Sequence, residues 1–275
     1  MNKQAPLIGF YNGNFCSKNE MAISPDSPAI ERSYSVYEFF RIHNGHPFYF
    51  ERHMDRLFRS LEILLLNIKF DRKELQEIIY KLIEKNGMMN FYIKIYAIPQ
   101  DLSNLDSPSD FFILPCQIDD YDEDIYKKGA GLLMKEYCRF LPEAKSTNYI
   151  ASVYWQKEMK SINAVDVLFY QDNTILECSR GNIFIIKNGK VSTPAENILK
   201  GISRSIVFDL MKQNSIPFDT RNISTEELFE ADEAWISSTT KLIIPVVKIN
   251  DKLIANGKPG QMTKKVLHLF KNLLK

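Results

Sequence analysis

The chain has 275 residues, enough to bury a substantial core in one large or two smaller domains. Hydrophobic residues make up 45% and charged residues 25%, a balance that is typical of a soluble globular protein. The 35 basic residues nearly match the 34 acidic ones and leave a net charge of +1, so composition argues against the basic surface that nucleic-acid binding requires.

Cysteine usage and the lack of long apolar runs predict a cytoplasmic protein. Cys16, Cys116, Cys138 and Cys178 are scattered without a CxxC pair, which predicts reduced thiols and no structural metal. No run approaches about 18 apolar residues, so we expect no membrane span. Residues 1–10 contain no apolar segment of the secretory type, so no signal peptide is expected.

Turn dipeptides and a change of periodicity organise the first part of the chain. Asn44-Gly45 lies between two apolar runs and predicts a β-hairpin. From Arg52 apolar residues recur at helical spacing, and a second helix is predicted between the N-cap Asp71 and the C-cap Gly87. With the strand-like runs 91–98 and 111–116, these elements predict an antiparallel sheet covered on one face by two helices.

The acidic stretch 119–129 is predicted to be an interdomain linker. A small N-terminal domain, 1–118, would precede it, and a larger C-terminal domain, 130–275, would follow. The strands predicted in the second half are 131–140, 165–170, 174–177, 182–187, 190–192, 234–238 and 242–249. The helices predicted there begin near residues 149, 203, 224 and 262.

In the stretch from Pro142 to Tyr149, a lysine precedes a predicted helix. Lys145 is followed by short polar residues that can bond the free N–H groups of a helix that begins near Tyr149, so backbone geometry would place the lysine. In a dry site the ammonium is disfavoured, and the amine becomes a nucleophile for a carbonyl compound. An ordinary solvated surface lysine is the alternative.

Three downstream features could complete a site for a phosphorylated pyridine cofactor. Glu177 closes a strand, where its carboxylate could keep a pyridine nitrogen protonated. The run Leu199-Lys200-Gly201-Ile202-Ser203-Arg204 opens a helix whose free N–H groups suit a phosphate. Ser237-Ser238-Thr239-Thr240 ends a strand with hydroxyls that suit the same oxygens. The plainer explanations are a surface glutamate, a helix N-cap and a polar turn.

The order of these features resembles the fold-type IV pyridoxal-phosphate enzymes, the class IV aminotransferases. That family includes branched-chain and D-amino acid aminotransferases and aminodeoxychorismate lyases. The resemblance covers roughly residues 30–250, and it rests on Lys145, Glu177, Leu-x-Gly-Ile-Ser-Arg, Trp-Ile-Ser-Ser-Thr-Thr before Pro245, Tyr34-Ser-Val-Tyr-Glu, Asn44-Gly45 and His53-Met-Asp-Arg-Leu.

The resemblance implies an α+β fold of two domains. The small N-terminal domain would hold an antiparallel sheet with helices, and the larger C-terminal domain would hold a mixed, barrel-like sheet. A cofactor cleft between the domains and a homodimer are implied in the same way.

By this resemblance, Lys145 would form the Schiff base with pyridoxal 5'-phosphate and move the proton between Cα and C4′. Glu177 would pair with the pyridine nitrogen, Tyr149 would reach the phenolic oxygen, and Leu199 would pack under the ring. The phosphate would be held by Arg56, Gly201, Ile202, Ser203, Ser238 and Thr239.

The chain departs from the family pattern where the substrate carboxylate would bind. Residues 95–100 lack the usual Arg-Gly element, and with it the arginine that D-amino acid aminotransferases use. Arg180 lies in a turn that usually holds small residues, and its guanidinium suits bidentate carboxylate binding. Lys94, Arg32 and Tyr37 are further substrate candidates. A structural role for Arg180 and surface positions for Lys94 and Arg32 are the alternatives.

The predicted reaction is transamination between an amino acid, branched-chain or D-configured, and a 2-oxo acid. One alternative is an aminodeoxychorismate lyase, which would release pyruvate and 4-aminobenzoate with the same cofactor contacts. An alternative of another class is a catalytically silent protein that binds pyridoxal phosphate or a partner. Neither a nucleic-acid nor a membrane partner is expected.

Overall fold

The computed structural model describes residues 7–275, which form two compact units. The first unit extends to Asp119 and also takes in Ala144–Asn148, and the second comprises Asp120–Glu143 and Tyr149–Lys275. The segment around Lys145 therefore groups with the first unit, although it lies within the predicted C-terminal domain. The expectation about a signal peptide concerns residues 1–10, of which 1–6 lie outside the described residues.

The first unit contains a six-stranded antiparallel sheet of order β2-β1-β6-β5-β3-β4. In chain order its strands are β1 (Ile8–Tyr11), β2 (Asn14–Ser17), β3 (Val36–His43), β4 (His46–Pro47), β5 (Phe91–Ile98) and β6 (Asp110–Cys116). Its helices are α1 (Pro28–Arg32), α2 (Phe50–Ile63) and α3 (Arg72–Asn86), with a 3-10 turn at Lys18–Glu20.

Local signals account for most of these boundaries. Asp71 caps α3 through a capping box with Glu74, and Gly87 ends the helix at a φ of 61°. Asn44 and Gly45 both have positive φ, 48° and 75°, as a type I′ hairpin between β3 and β4 requires. The apolar stripes of α2 and α3 pack with one face of the sheet in a single core, which confirms the predicted arrangement.

The second unit contains a nine-stranded mixed sheet of order β12-β11-β10-β13-β14-β7-β8-β9, with β15 paired to β14. Its strands are β7 (Ala130–Glu136), β8 (Ala164–Gln171), β9 (Thr174–Cys178), β10 (Asn182–Lys187), β11 (Lys190–Thr193), β12 (Phe218–Thr220), β13 (Glu233–Ser238), β14 (Leu242–Ile249) and β15 (Lys252–Leu253). Its helices are α4 (Glu123–Lys128), α5 (Ile150–Tyr154), α6 (Gln156–Ser161), α7 (Ile202–Gln213), α8 (Thr225–Phe229) and α9 (Gln261–Asn272).

The structure differs from the sequence prediction in two places in this unit. The predicted linker contains α4, whose N-cap Asp122 accepts from the N–H of Asp124 and whose acidic first turn complements the helix dipole. Its Tyr126 is buried, so this stretch packs on the second unit. The single helix predicted from residue 149 is broken at Trp155 into α5 and α6.

Within residues 7–275 no helix is both long and apolar enough to cross a membrane. Over the same range no group of three or more His, Cys, Asp or Glu side chains is arranged to hold a metal ion.

Candidate active site

Lys145 lies in an extended segment of the first unit, next to the start of β3. Its N–H donates to Ser60 Oγ at 3.0 Å, and its carbonyl accepts from the N–H of Tyr37 at 2.9 Å. The Ser60 hydroxyl itself donates to the carbonyl of Arg56 at 2.7 Å, which orients its oxygen toward Lys145. The side chain of Lys145 is buried, and Nζ lies 4.4 Å from the centroid of the Tyr37 ring.

The expectation that a helix N-terminus places this lysine was wrong. Helix α5 begins only at Ile150, and its N-cap Tyr149 makes no side-chain capping bond. Ser146 instead forms a β-bridge with Val36, and Thr147 donates its N–H to the carbonyl of Ser35 at 3.2 Å. Because β3 and α2 hold the backbone on both sides, the amine of Lys145 is rooted in a rigid part of the first unit.

Arg56 is bound to a fully buried carboxylate, Glu38. The guanidinium donates from Nε to Oε2 at 2.9 Å and from Nη2 to Oε1 at 2.6 Å. Oε1 also accepts from the N–H of Phe39 at 2.7 Å and lies 3.0 Å from His53 Nδ1. Among the described residues Nη1 of Arg56 has no hydrogen-bond partner, so this group is free to bind a ligand.

The charges of this cluster follow from its burial. Burial alone would raise the pKa of Glu38, but Arg56 and His53 outweigh it and hold this pKa well below its usual value. Burial lowers the pKa of His53 against the raising effect of Glu38, so the imidazole is neutral at physiological pH. Sequence reasoning assigned Arg56 to a phosphate but missed the carboxylate that orients it.

Glu177, at the end of β9, is buried in the second unit with both of its oxygens engaged. Oε1 accepts from Arg139 Nε at 2.8 Å, and Oε2 accepts from the N–H of Leu199 at 3.0 Å. Arg139 also donates from Nη2 to the carbonyl of Pro142 at 2.7 Å. Burial would lower the pKa of Arg139, but Glu177, together with Tyr149 and Tyr137, outweighs burial and raises it, so the guanidinium is charged.

Sequence reasoning missed Arg139. The only signal available was general: a carboxylate expected in a dry site needs a buried cation, and Arg139 is a basic residue near the end of the predicted strand 131–140. The phenol of Tyr149 acts electrostatically on the same guanidinium. The structure therefore brings Glu177, Tyr149 and Leu199, which were all predicted as cofactor contacts, around Arg139.

The N-terminus of α7 presents free backbone donors. Its N-cap Gly201 supplies no side-chain bond, and the N–H groups of Ile202 and Ser203 have no acceptor among residues 7–275. A Cβ on Gly201 would stand 2.2 Å from Asn182 Oδ1, so any other residue here would displace the Asn182 amide. Asn182 in turn donates to the carbonyl of Leu199 at 2.9 Å and fixes the loop that leads into the helix.

Arg204 is a buried residue of α7 that holds the same loop. It donates from Nη2 to the carbonyl of Pro194 at 2.7 Å, and its guanidinium lies over the Phe208 ring at 4.6 Å. Burial lowers the pKa of Arg204 to about 10, so it stays charged at neutral pH. Arg204 thus positions the helix start.

The turn between β13 and β14 carries the predicted hydroxyl contacts. Ser238 Oγ accepts from the N–H of Lys241 at 3.2 Å, which closes the turn around Thr239. Ser237, cross-strand partner of Asn182, has a buried Oγ without a hydrogen-bond partner in the part of the chain that the structure describes. A buried, unpartnered hydroxyl is costly unless a ligand satisfies it.

The donors of the second unit fit a phosphorylated pyridine. Free amides at a helix start, neighbouring hydroxyls and the unpartnered Oγ of Ser237 suit an anion. The buried carboxylate of Glu177 suits a protonated ring nitrogen.

The predicted substrate residues occupy different surroundings. In the first unit, Tyr37 and Lys94 lie on the same face of the sheet, because Tyr37 and Phe39 share a face and Lys94 is the cross-strand partner of Phe39. Arg32 is on α1 with its side chain 63% exposed and 3.6 Å from Glu31. In the second unit, Arg180 is exposed in the turn between β9 and β10, where its charge helps to lower the pKa of Asp166.

Comparison with known proteins identifies the family. Residues 35–249 match the model of the amino-transferase class IV family. A D-alanine aminotransferase of Listeria monocytogenes is 29% identical over 269 residues, covering 94% of this chain and 93% of that protein. A D-alanine aminotransferase of Staphylococcus haemolyticus is 28% identical over 270 residues, covering 95% of each chain.

A solved structure shares the fold. The branched-chain amino acid aminotransferase of Escherichia coli superposes with a TM-score of 0.90 at 24% identity. The superposition covers 98% of this chain and 94% of the other. Since the family model spans most of the sequence, the chain belongs to the class IV aminotransferases.

Proposed function

We propose that this protein is a pyridoxal 5'-phosphate-dependent aminotransferase that moves an amino group from an amino acid to a 2-oxo acid. The proposal depends chiefly on the surroundings of Lys145. Its side chain is buried, and its backbone N–H and C=O are both hydrogen-bonded, to Ser60 and to Tyr37. A flexible surface lysine would be hydrated and unplaced, whereas a held and buried one can act at a defined atom of a substrate.

The cofactor, when bound, supplies a protonated pyridine ring that withdraws electrons from the substrate Cα. Glu177 would hold the ring-nitrogen proton through a charge-assisted hydrogen bond, and Arg139 supplies the counter-charge of this carboxylate. Lys145 Nζ would take the proton from the substrate Cα and pass it to C4′ of the cofactor, and it would reverse this transfer when the 2-oxo acid takes up the amino group. Tyr149 would donate to the phenolic oxygen, and Leu199 would pack against the ring.

Donors for the cofactor phosphate are proposed in each unit. The N–H groups after Gly201, at Ile202 and Ser203, point out of the start of α7, and Ser238 and Thr239 add hydroxyls and amides. Arg56 contributes Nη1, since Nε and Nη2 are committed to Glu38. The two hydrogen bonds to Glu38 therefore orient the guanidinium of Arg56 before a ligand binds.

The substrates are proposed to be D-amino acids or branched-chain amino acids together with 2-oxo acids. The names of the similar proteins, D-alanine aminotransferases and a branched-chain amino acid aminotransferase, support these two classes. Arg180 is proposed to bind the substrate carboxylate because its guanidinium is exposed and stands in a fixed turn. Tyr37, Lys94 and Arg32 are the next candidates.

Two further properties are proposed. A homodimer is supported by exposed apolar side chains of the second unit at Phe140, Ile150, Val153 and Tyr154, which a second copy would cover. A cytoplasmic location is supported by free cysteines. Light scattering and cell fractionation test these two properties.

The decisive experiment locates the reactive amine chemically. Borohydride reduction of the protein loaded with pyridoxal phosphate, followed by peptide mass spectrometry, should place the pyridoxyl group on Lys145. Lys145→Ala should lose the visible absorbance and nearly all activity, whereas Lys248→Ala, at a half-buried lysine of β14, should keep both. A pyridoxyl group on another lysine would refute the assignment.

A panel of half-reactions then separates the alternatives. The loaded protein is mixed with D- and L-amino acids, and the visible band of the cofactor is followed. If only the D- or only the L-amino acids convert the cofactor band, the protein is a transaminase with that stereospecificity. Release of pyruvate from aminodeoxychorismate without any half-reaction would indicate a lyase, and a band that no amino acid changes would indicate a catalytically silent protein.

A further inference from the structure

A second buried ion pair lies in the second unit, with partners other than Glu177 and Arg139. Lys241, at the end of the β13–β14 turn, donates from Nζ to Oδ2 of Asp166 in β8. The two side chains are 1% and 0% exposed. An isolated charge at such depth is costly, so each residue requires the other.

Asp166 connects this pair to the turn that carries Arg180. Its Oδ1 accepts from Ser179 Oγ at 2.5 Å and from the N–H of Val167 at 2.8 Å. The Ser179 oxygen also lies 3.0 Å from Ser152 Oγ in α5. The carboxylate of Asp166 therefore adds a side-chain anchor to a turn that backbone bonds also hold, from the N–H of Ser179 to the carbonyl of Val167 and from the N–H of Cys178 to the carbonyl of Gly181, each at 2.8 Å.

Lys241 connects the pair to the other turn. Its N–H donates to Ser238 Oγ at 3.2 Å, and the next residue, Leu242, has a φ of 52°. A left-handed conformation is unfavourable for leucine, and here it falls on the first residue of β14, the cross-strand partner of Ser238. The turn is therefore strained, and the anchored side chain of Lys241 holds it in place.

We propose that the Lys241–Asp166 pair is a positioning device that sets two turns at once, the Ser238–Lys241 turn and the Cys178–Asn182 turn. The inference rests on the proposed function, in which the first turn binds the cofactor phosphate and the second presents Arg180 to the substrate carboxylate. Cofactor affinity and substrate affinity are thereby coupled through one buried contact.

The asymmetry of the network makes the two effects separable. Ser179 connects Asp166 only to the second turn, and Lys241 connects it to the first. Asp166 itself also attracts Arg180, whose charge lowers the pKa of this carboxyl against the raising effect of burial. Removing the Ser179 hydroxyl leaves the ion pair intact, whereas removing the Lys241 ammonium leaves Asp166 buried without its partner.

The test compares Lys241→Met, Ser179→Ala and the control Lys248→Met, which changes a half-buried lysine of β14 near Asp251. Hydrogen exchange of the apoprotein should accelerate in both turns in Lys241→Met and only in the Cys178–Asn182 turn in Ser179→Ala. The Kd of pyridoxal phosphate should rise about 10-fold in Lys241→Met and stay within about 2-fold in Ser179→Ala. The KM for the amino acid should rise about 10-fold in Ser179→Ala while kcat changes less.

A merely structural pair would lower the melting temperature without these effects. A folded Lys241→Met protein with unchanged exchange in both turns and a cofactor Kd within twofold of wild type overturns the proposal. If Lys241→Met does not fold, Ser179→Ala decides alone, and unchanged exchange in its turn overturns the proposal. A wild-type protein without aminotransferase activity would refute the proposed function. It would not refute the positioning role, because the exchange measurement needs neither cofactor nor substrate.

Discussion

Glu38 is predicted to be the most stability-sensitive carboxylate of the first unit. Its side chain is fully buried, and its oxygens are engaged by Arg56, by His53 and by the N–H of Phe39. In Glu38→Gln the amide keeps one acceptor oxygen but turns an NH2 donor toward groups that are themselves donors. The guanidinium of Arg56, 11% exposed, loses its counter-charge at the same time.

The magnitude follows from the burial of the pair. Breaking a buried ion pair by neutralising one partner costs about 3–5 kcal/mol, which for a chain of this size lowers Tm by roughly 6–20 °C. Helix α2 offers a matched control in the Arg59–Glu62 pair, which is 2.8 Å long with side chains 56% and 69% exposed. Glu62→Gln should cost less than about 1 kcal/mol, because solvent screens that pair.

The assay is denaturant unfolding followed by circular dichroism, combined with hydrogen exchange of β3 and α2. The pH dependence provides an independent test. Because the pKa of folded Glu38 lies below its unfolded value of about 4.3, its stabilisation is complete above that value and is lost as pH falls through the folded pKa. The difference between wild type and Glu38→Gln should therefore be largest at neutral pH and shrink in acid. Equal losses in the Glu38 and Glu62 variants would refute the reasoning.

Three further predictions concern the proposed site. Glu177→Gln should fold and bind cofactor but slow the half-reaction about 100-fold or more in stopped-flow absorbance, and a wild-type rate would mean that the ring nitrogen has another partner. Arg56→Lys keeps a positive charge beside Glu38 but loses the guanidinium nitrogens that could bind Glu38 and the phosphate together. The Kd of the cofactor, measured by fluorescence titration, should therefore rise about 10-fold, and an unchanged Kd would show that Arg56 does not bind the phosphate. Arg180→Ala should lose about 2–4 kcal/mol of transition-state stabilisation, which lowers kcat/KM roughly 30- to 1000-fold, while the cofactor absorbance stays normal. Unchanged kinetics would show that Arg180 is only a structural residue of its turn.

Much of the fold was predictable from the sequence because its signals are local. The capping box at Asp71, the glycine after α3 and the Asn-Gly hairpin each act within a few residues, and their elements formed where expected. Helix α4 was missed because its run of carboxylates resembles a linker, and only the burial of Tyr126 distinguishes it. The break at Trp155 was missed because neither proline nor glycine marks it in residues 150–161.

The sequence by itself determined which residue types could carry the chemistry, since the order of Lys145, Glu177 and the glycine before Ile202 was enough to suggest a pyridoxal-phosphate site. The tertiary structure decided what holds each of them. Lys145 depends on Ser60, 85 residues away, Glu177 on Arg139, 38 away, and Asp166 on Lys241, 75 away. Such partners leave no local signal, because a buried charge is satisfied by whichever strand or helix the topology brings beside it.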